Sequence, residues 1–334
     1  MLLIESTQFF FEFSIMRLIR GLNHLQPFNN GCVLTIGNFD GLHLGHRLVI
    51  EKLAEYGKRL NLPTVVMVFE PQPLEYFLGD HAPSRLTRLR EKAIQFSKMP
   101  IDELLVLPFN STIADYDPEL FISDILIKQL HVKHLVIGDD FHFGKSRRGN
   151  FALLLSYGRQ YGFEVENSHS FEWEGLRISS TLIRDALQDG RLDQARIMLG
   201  RDYSVCGRVA HGDKRGRQLG FPTANVRLFR KNSPISGVFA VTITGLDGKE
   251  YQGVANLGGR PTIEADATPI LETHLFNFNA DIYGKYVEIH FKEKIRNEMR
   301  FNSLTQLQTQ IREDINVSKQ IFARLESENQ QASG

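Results

Sequence analysis

Two histidines three residues apart, His43 and His46, stand at the end of a glycine-rich turn, Gly37-Asn-Phe-Asp-Gly-Leu-His-Leu-Gly-His46. An apolar run, Cys32–Ile36, precedes the turn, and apolar residues at helical spacing (Leu44, Leu48, Val49, Leu53, Tyr56) follow it. A strand, a tight turn and a helix start leave free N–H groups and the positive end of a helix dipole beside the turn. Imidazoles on one side of that first turn can donate hydrogen bonds to phosphate oxygens as charge builds up in a transition state. A metal pair is a rival reading, but no cysteine or suitably spaced third ligand accompanies His43 and His46. A structural turn with satisfied histidines is another. The phosphate reading gains from Arg177-Ile-Ser-Ser-Thr-Leu-Ile-Arg184, where Ser180 and Thr181 open a helix between two arginines able to grip phosphate bidentately. No Gly-x-x-x-x-Gly-Lys-Ser/Thr loop occurs anywhere in the chain.

A second constellation lies in His211-Gly-Asp-Lys-Arg-Gly-Arg-Gln-Leu-Gly-Phe-Pro-Thr-Ala-Asn225. Gly212, Gly216 and Gly220 give a pliable backbone, and Lys214, Arg215 and Arg217 add positive charge. Such a loop can fold over a polyphosphate and supply N–H donors. By itself a basic glycine-rich loop also reads as a solvated turn, or as an RNA contact. Sparse aromatic interleaving and zero net charge argue against RNA. The Pro-Thr-Ala-Asn run favours the phosphate reading. Thr223 and Asn225 fall on one face of an extended segment, where a hydroxyl and an amide can hold hydrated Mg²⁺ beside phosphates. Two phosphate-handling signatures in one chain make it a candidate for two consecutive reactions of a nucleoside triphosphate.

The elements around these residues divide the chain of 334 residues into two halves of domain size. The first half alternates apolar runs (Cys32–Ile36, Thr64–Phe69, Leu104–Leu107, Leu135–Ile137) with helical patterns, including one opened by Pro118. That alternation predicts a parallel sheet covered on both faces, with ligands at the carboxyl ends of its strands. Ser179–Leu187 and Leu192–Leu199 then read as a helical pair closed by Gly190 and Gly200. From about residue 202 the pattern changes to short strands at Tyr203–Val209, Val238–Thr244, Tyr251–Asn256, Thr273–Phe278 and Tyr286–Phe291. With Asp247-Gly248 as a hairpin turn, an antiparallel barrel is expected. A closing amphipathic helix presents Leu304, Leu307, Ile311, Ile315 and Ile321, and the polar tail from Ser327 is expected to fray.

Bulk properties exclude several classes of partner. Lys+Arg and Asp+Glu are 39 each, so no overall charge draws the chain to nucleic acid or an anionic membrane. Cys32 and Cys206 read as reduced core thiols, which fits a cytoplasmic protein. The opening MLLIESTQFFFEFSI has neither the basic region of a secretory signal nor the length of about 20 apolar residues that a membrane span needs. The working domain is therefore expected to begin at Met16.

The turn at Gly37–His46 resembles the HxGH signature of the nucleotidyltransferase superfamily, and Arg177–Arg184 its partner near the far end of that fold. With Phe69-Glu-Pro-Gln-Pro73 and Gly138-Asp-Asp-Phe-His-Phe-Gly144 between them, the first half resembles the adenylyltransferase part of bacterial bifunctional riboflavin kinase/FAD synthetases. Gln72 stands where that family commonly has histidine, and His142 where it commonly has arginine. Both substitutions keep hydrogen-bonding capacity. In the second half, Gly220–Asn225, Gly253-Val-Ala-Asn-Leu-Gly-Gly-Arg-Pro-Thr262 and Glu272-Thr-His-Leu-Phe-Asn-Phe-Asn-Ala-Asp-Ile-Tyr-Gly284 resemble the riboflavin kinase part.

The resemblance implies an α/β nucleotidyltransferase domain over residues 16–186, a helical linker over 187–201, and an antiparallel barrel kinase over 202–326. It implies a cytoplasmic enzyme with no nucleic acid or membrane partner. That enzyme phosphorylates riboflavin to FMN with ATP and Mg²⁺, then adenylylates FMN to FAD. His43 and His46 would act on the ATP phosphates, with Asn38, Arg177, Ser180, Thr181 and Arg184 around them, while Phe69, Asp140, Phe141 and Arg300 would meet flavin. Gly212 and Arg217 would meet the second ATP, Thr223 and Asn225 would hold Mg²⁺, and Glu272 would be the catalytic base. An enzyme that adenylylates another phosphate ester, and a non-catalytic flavin-binding regulator, are the two alternatives.

Overall fold

The computed structural model describes residues 16–138, 140–168, 172–173, 175–212, 216, 219–230, 232–258 and 269–332. The opening residues 1–15, and with them the expected start at Met16 as a boundary, lie outside what it describes on their side. Contacts sort the described residues into two compact units. One takes those of Met1–Phe39, His46–Tyr76 and Lys92–Ser170, the other those of Asp40–Gly45, Phe77–Glu91 and Phe171–Gly334.

The first unit is built on six parallel strands: β1 (Arg17–Arg20), β2 (Cys32–Ile36), β3 (Thr64–Glu70), β4 (Glu103–Pro108), β5 (Val132–Gly138) and β6 (Glu164–Ser168). Their order is β1-β4-β3-β2-β5-β6. Every residue of β2 is buried, as expected of a central strand covered on both faces. The four apolar runs read from the sequence all form strands. The two edge strands escaped that reading because Arg-Leu-Ile-Arg and Glu-Val-Glu-Asn-Ser carry the polar residues that protect sheet edges. The helix expected after Asp117 begins with Pro118 in its first turn and continues with π-helical geometry over Phe121–Gln129, burying Phe121, Ile122, Ile125 and Leu126. The strand order reverses between β2 and β5, and the crevice at their carboxyl ends is where such sheets bind ligands.

The second unit holds a closed antiparallel barrel of six strands: β9 (Tyr203–Ala210), β10 (Ala224–Arg227), β11 (Gly237–Thr244), β12 (Tyr251–Gly258), β13 (Ile270–Leu275) and β14 (Tyr286–Arg296). A small hairpin, β7 (Glu172–Trp173) with β8 (Leu176–Arg177), precedes it. The barrel is closed in the order β10-β13-β12-β11-β14-β9, so no edge is left to template another chain. Val205, Val226, Phe239, Ala255, Leu271 and Ile289 fill its interior. Ile183, Leu187, Met198 and Leu199, from the helices Ser180–Gln188 and Leu192–Leu199, extend the same core. Ser179 accepts from the Leu182 N–H at 3.2 Å to cap the first helix, and Gly200 ends the second at φ 66°.

Three details differ from expectation. Strand β10 was not foreseen, because Ala-Asn-Val-Arg alternates apolar and polar residues over only four positions, too few to signal a strand. The strand expected at Thr273–Phe278 lies at Ile270–Leu275, and the positive φ of Asn277 (53°) turns the chain beyond it. The closing helix runs over Leu304–Ala332, past the tail expected to fray, supported by an Arg324–Glu328 pair one turn apart at 3.7 Å. Ile321 and Phe322 of that helix bury against Val238, Ala240, Val254 and Phe276, whereas Leu304 is 70 % exposed. Asp314 on the helix receives two 2.8 Å bonds from Arg296 of β14.

Candidate active sites

The residues of the first constellation are divided between the two units. In the first, Asn38 follows β2 and is exposed, and its carbonyl accepts from the buried Lys92 Nζ at 2.6 Å. His46, half-buried in the first turn of the helix Leu44–Leu60, lies 5.1 Å from the ring of Phe39. Phe39 is buried at φ 46°, edge-on to Phe96 at 5.5 Å, so the turn that precedes His46 is held by ring packing. Asp140 and Phe141 follow β5 on the other side of the strand-order reversal. The Asp140 carbonyl accepts from His142 Nδ1 at 2.9 Å, and Phe141 stacks on Phe143 at 5.4 Å. Phe69, at the carboxyl end of β3, is half-buried and edge-on to Phe109. Gln72 is 7 % exposed, and its side-chain nitrogen has no hydrogen-bond partner among the described residues. Its backbone N–H donates to Glu75 at 2.9 Å and starts the helix Pro73–Leu78.

In the second unit, the short segment Asp40–Gly45 is locked from several directions. The buried Asp40 carboxylate accepts from the N–H groups of Leu86 (3.1 Å) and Thr87 (3.0 Å) and from Arg184 Nη2 (2.6 Å). Its carbonyl accepts from Ser180 Oγ at 2.9 Å, and Arg201 donates to the carbonyls of Gly41 and Leu42. Gly41 sits at φ 85°, where a Cβ would lie 2.8 Å from Leu86 Cδ1, so glycine is required there. Next to this network, burial lowers the pKa of His43 to about 4; Asp40 opposes the shift and Arg177 and Arg201 add to it. The imidazole is therefore neutral at physiological pH and carries a single N–H donor. Arg177 and Thr181 are exposed, whereas Arg184 is engaged by Asp40 and by the Ser84 carbonyl at 2.6 Å. Sequence reasoning quoted Asp40 within its motif without assigning it a role, and missed Arg201 altogether.

The barrel assembles the second constellation by register. Asn225 of β10 is the cross-strand partner of Glu272 of β13, which on its other side is the partner of Asn256 of β12. Because side chains alternate along strands, Asn225, Glu272 and Asn256 share one face, opposite the buried Ala224, Thr273 and Ala255. Gly212 lies so close to the Asn225 amide that a Cβ would come within 2.4 Å of its nitrogen, and one on Gly216 would reach Thr223 Oγ1 at 3.0 Å. Pro222, just before Thr223, is fixed by a 2.9 Å bond from His274 Nδ1 to its carbonyl. A cavity of about 390 Å³ opens here, lined by Gly212, Thr223, Asn225, Thr273, Phe278 and Tyr283. His211 packs its ring 3.9 Å from that of Tyr283. Arg300 is exposed ahead of the closing helix, and Lys214, Arg215 and Arg217 lie outside the described residues. Asn256 and His274 were not singled out from the sequence. Both lie within the stretches that carry the resemblance, so the signal was present but read as a block.

Comparison with known proteins bears on both constellations. The family model for FAD synthetase matches residues 25–182, and that for riboflavin kinase matches residues 199–322. A bifunctional riboflavin kinase/FMN adenylyltransferase of Haemophilus influenzae is 48% identical over 307 residues, covering 92% of this chain and 99% of its own length. The chain belongs to the bifunctional riboflavin kinase/FMN adenylyltransferase family. The Escherichia coli member is 48% identical over 308 residues, covering 92% of this chain and 98% of that protein. A crystal structure from Streptococcus pneumoniae, described as that of a macrolide-efflux protein, is 30% identical, with a TM-score of 0.76. It covers 91% of this chain and 99% of its own. Among the described residues, no helix is long and apolar enough to cross a membrane. The FAD synthetase match contains the segment from Asn38 to Thr181, and the riboflavin kinase match contains that from Gly212 to Arg300.

Proposed function

We propose that residues 202–326 phosphorylate riboflavin and residues 16–186 adenylylate the resulting FMN, with 187–201 as a helical linker between them. The family's two activities are riboflavin kinase and FMN adenylyltransferase, which make FMN and FAD. The assignment of residues rests above all on the row Asn225–Glu272–Asn256, which sets one carboxylate between two amides.

In the kinase reaction Glu272 accepts the proton of the ribityl 5′-hydroxyl as its oxygen bonds to the γ-phosphorus of ATP and the bond to ADP breaks. Thr223 and Asn225 offer hard oxygen donors, and the missing side chains of Gly212 and Gly216 leave room against them. That donor set fits Mg²⁺, which takes carbonyl and hydroxyl oxygens together with phosphate and water. Bound there, Mg²⁺ supplies neutralisation of phosphate charge. Gly212 and Arg217 meet the phosphates, and Arg300 the flavin.

Adenylyl transfer needs no general base. An FMN phosphate oxygen, already anionic, attacks the α-phosphorus of ATP, and pyrophosphate leaves. The work left to the protein is alignment and charge neutralisation. His46 and the neutral His43 donate to phosphate oxygens, Arg177 and Thr181 close over them, Asn38 orients the nucleotide and Asp140 the flavin. Phe69 and Phe141 face the flavin. Ser180 and Arg184 act on the phosphates through the Asp40 segment that they hold. Buried cysteines outside any disulfide, Cys32 and Cys206, support a cytoplasmic setting. The stoichiometry tests the scheme: one ADP should appear per FMN formed from riboflavin, and one pyrophosphate per FAD formed from FMN. Release of ADP during conversion of FMN to FAD would contradict it.

A further inference from the structure

The segment Phe77–Glu91 belongs to the unit that contains the barrel, although it lies in the half of the sequence that carries adenylyl transfer. Its two ends do different things. At one end, Leu86 and Thr87 give their N–H groups to Asp40, and Thr87 Oγ1 accepts from the Gly41 N–H at 2.9 Å. At the other, Glu91 is 5% exposed and accepts two bonds from Arg230, itself 6% exposed, at 2.9 and 3.0 Å. Glu91 also accepts from the Cys206 N–H of β9 at 3.0 Å. Arg230 reaches further, donating to the Tyr203 hydroxyl at 2.9 Å and to the Arg85 carbonyl at 3.3 Å. Arg88 adds a 3.0 Å bond to the Leu228 carbonyl.

We propose that the buried Glu91–Arg230–Tyr203 cluster is a positioning device for adenylyl transfer, rooted in the kinase barrel and acting through Leu86 and Thr87 on the loop that carries His43. The proposal rests on the adenylyl-transfer reading of His43 given above. A buried ion pair is a poor choice if packing alone is wanted, because the cost of desolvation cancels much of the attraction and an apolar pair serves as well. What a guanidinium Nη2 held between both oxygens of a buried carboxylate does supply is fixed geometry, through short charge-assisted bonds. Here that geometry is relayed along a few residues. Arg230 fixes Glu91 and the Arg85 carbonyl, the backbone between them presents Leu86 and Thr87, and these two place Asp40. Asp40 in turn takes Arg184 and Ser180, three residues before His43. Displacements on the order of 1 Å far from a reacting centre are enough to cost about 10²-fold in rate.

The test uses the full-length protein and two initial rates, FMN from riboflavin and FAD from supplied FMN, each with ATP and Mg²⁺. The double variant Glu91→Gln/Arg230→Met removes both charges and keeps an acceptor for the Cys206 N–H, so it avoids an orphaned buried charge. It should lower kcat for FAD formation by about 10-fold or more, while FMN formation stays at the parental rate. Tyr203→Phe removes a single hydroxyl, should act in the same direction to a smaller extent, and carries the test if the double variant does not fold. FAD formation at the parental rate in a folded variant would overturn the proposal. So would a parallel loss of both activities, which marks general destabilisation. A parental protein that makes no FAD from FMN would instead overturn the reading of the first site itself.

Discussion

Glu272 owes its neighbours to strand register, since Asn225 and Asn256 flank it on adjacent strands. Glu272→Gln keeps the shape and removes the proton acceptor, so FMN formation should fall by about 10²-fold or more, while FAD formation from FMN persists. Loss of both in a folded variant would contradict separate sites. His46→Ala should do the reverse, lowering FAD formation by about 10²-fold and sparing FMN formation; an unchanged FAD rate removes His46 from the mechanism. His43 titrates near 4 when folded and near its ordinary 6.5 when unfolded. Between those values the unfolded chain binds the extra proton, so stability falls as pH drops from about 6.5 to about 4 and levels off below. Denaturant unfolding at about pH 7 and pH 5 should show a smaller loss for His43→Gln than for the parent. At this scale the sequence displayed the histidines, the hydroxyls and the Thr–Asn pair, because their types and spacing are local. It could not display Arg201, or that Arg184 is taken up by Asp40, because those contacts join residues more than a hundred positions apart.

The helix Ser180–Gln188 starts on Ser179 and carries Ser180 and Arg184 to the Asp40 segment. Ser179→Ala should cost about 1 kcal/mol of stability, and FAD formation should suffer more than FMN formation. Equal loss of the two would mean that the cap serves the fold alone. Gly212 makes the matching case in the barrel. A methyl there would collide with the Asn225 amide, so Gly212→Ala should depress FMN formation and leave FAD formation from FMN in place. The central strands and the helical pair were legible because apolar runs and capping residues are written locally. Strands β1, β6 and β10 were not, because their pairing partners rather than their own composition make them strands.

The whole chain carries two chemistries in sequence, and the first reaction's product is the second's substrate. A parallel sheet with a ligand crevice and a closed barrel were both expected from the change of pattern near residue 202. The compact units divide differently from the sequence halves, since Asp40–Gly45 and Phe77–Glu91 pack with the barrel. No local pattern announces such an exchange, because it depends on buried charges meeting across the fold. As a member of this family, this one polypeptide makes FMN and then FAD. Chromatography of the products over time, starting from purified protein with riboflavin, excess ATP and Mg²⁺, tests it most directly. FMN should rise first and then be converted to FAD. FAD that never appears, or riboflavin that is never phosphorylated, would contradict it.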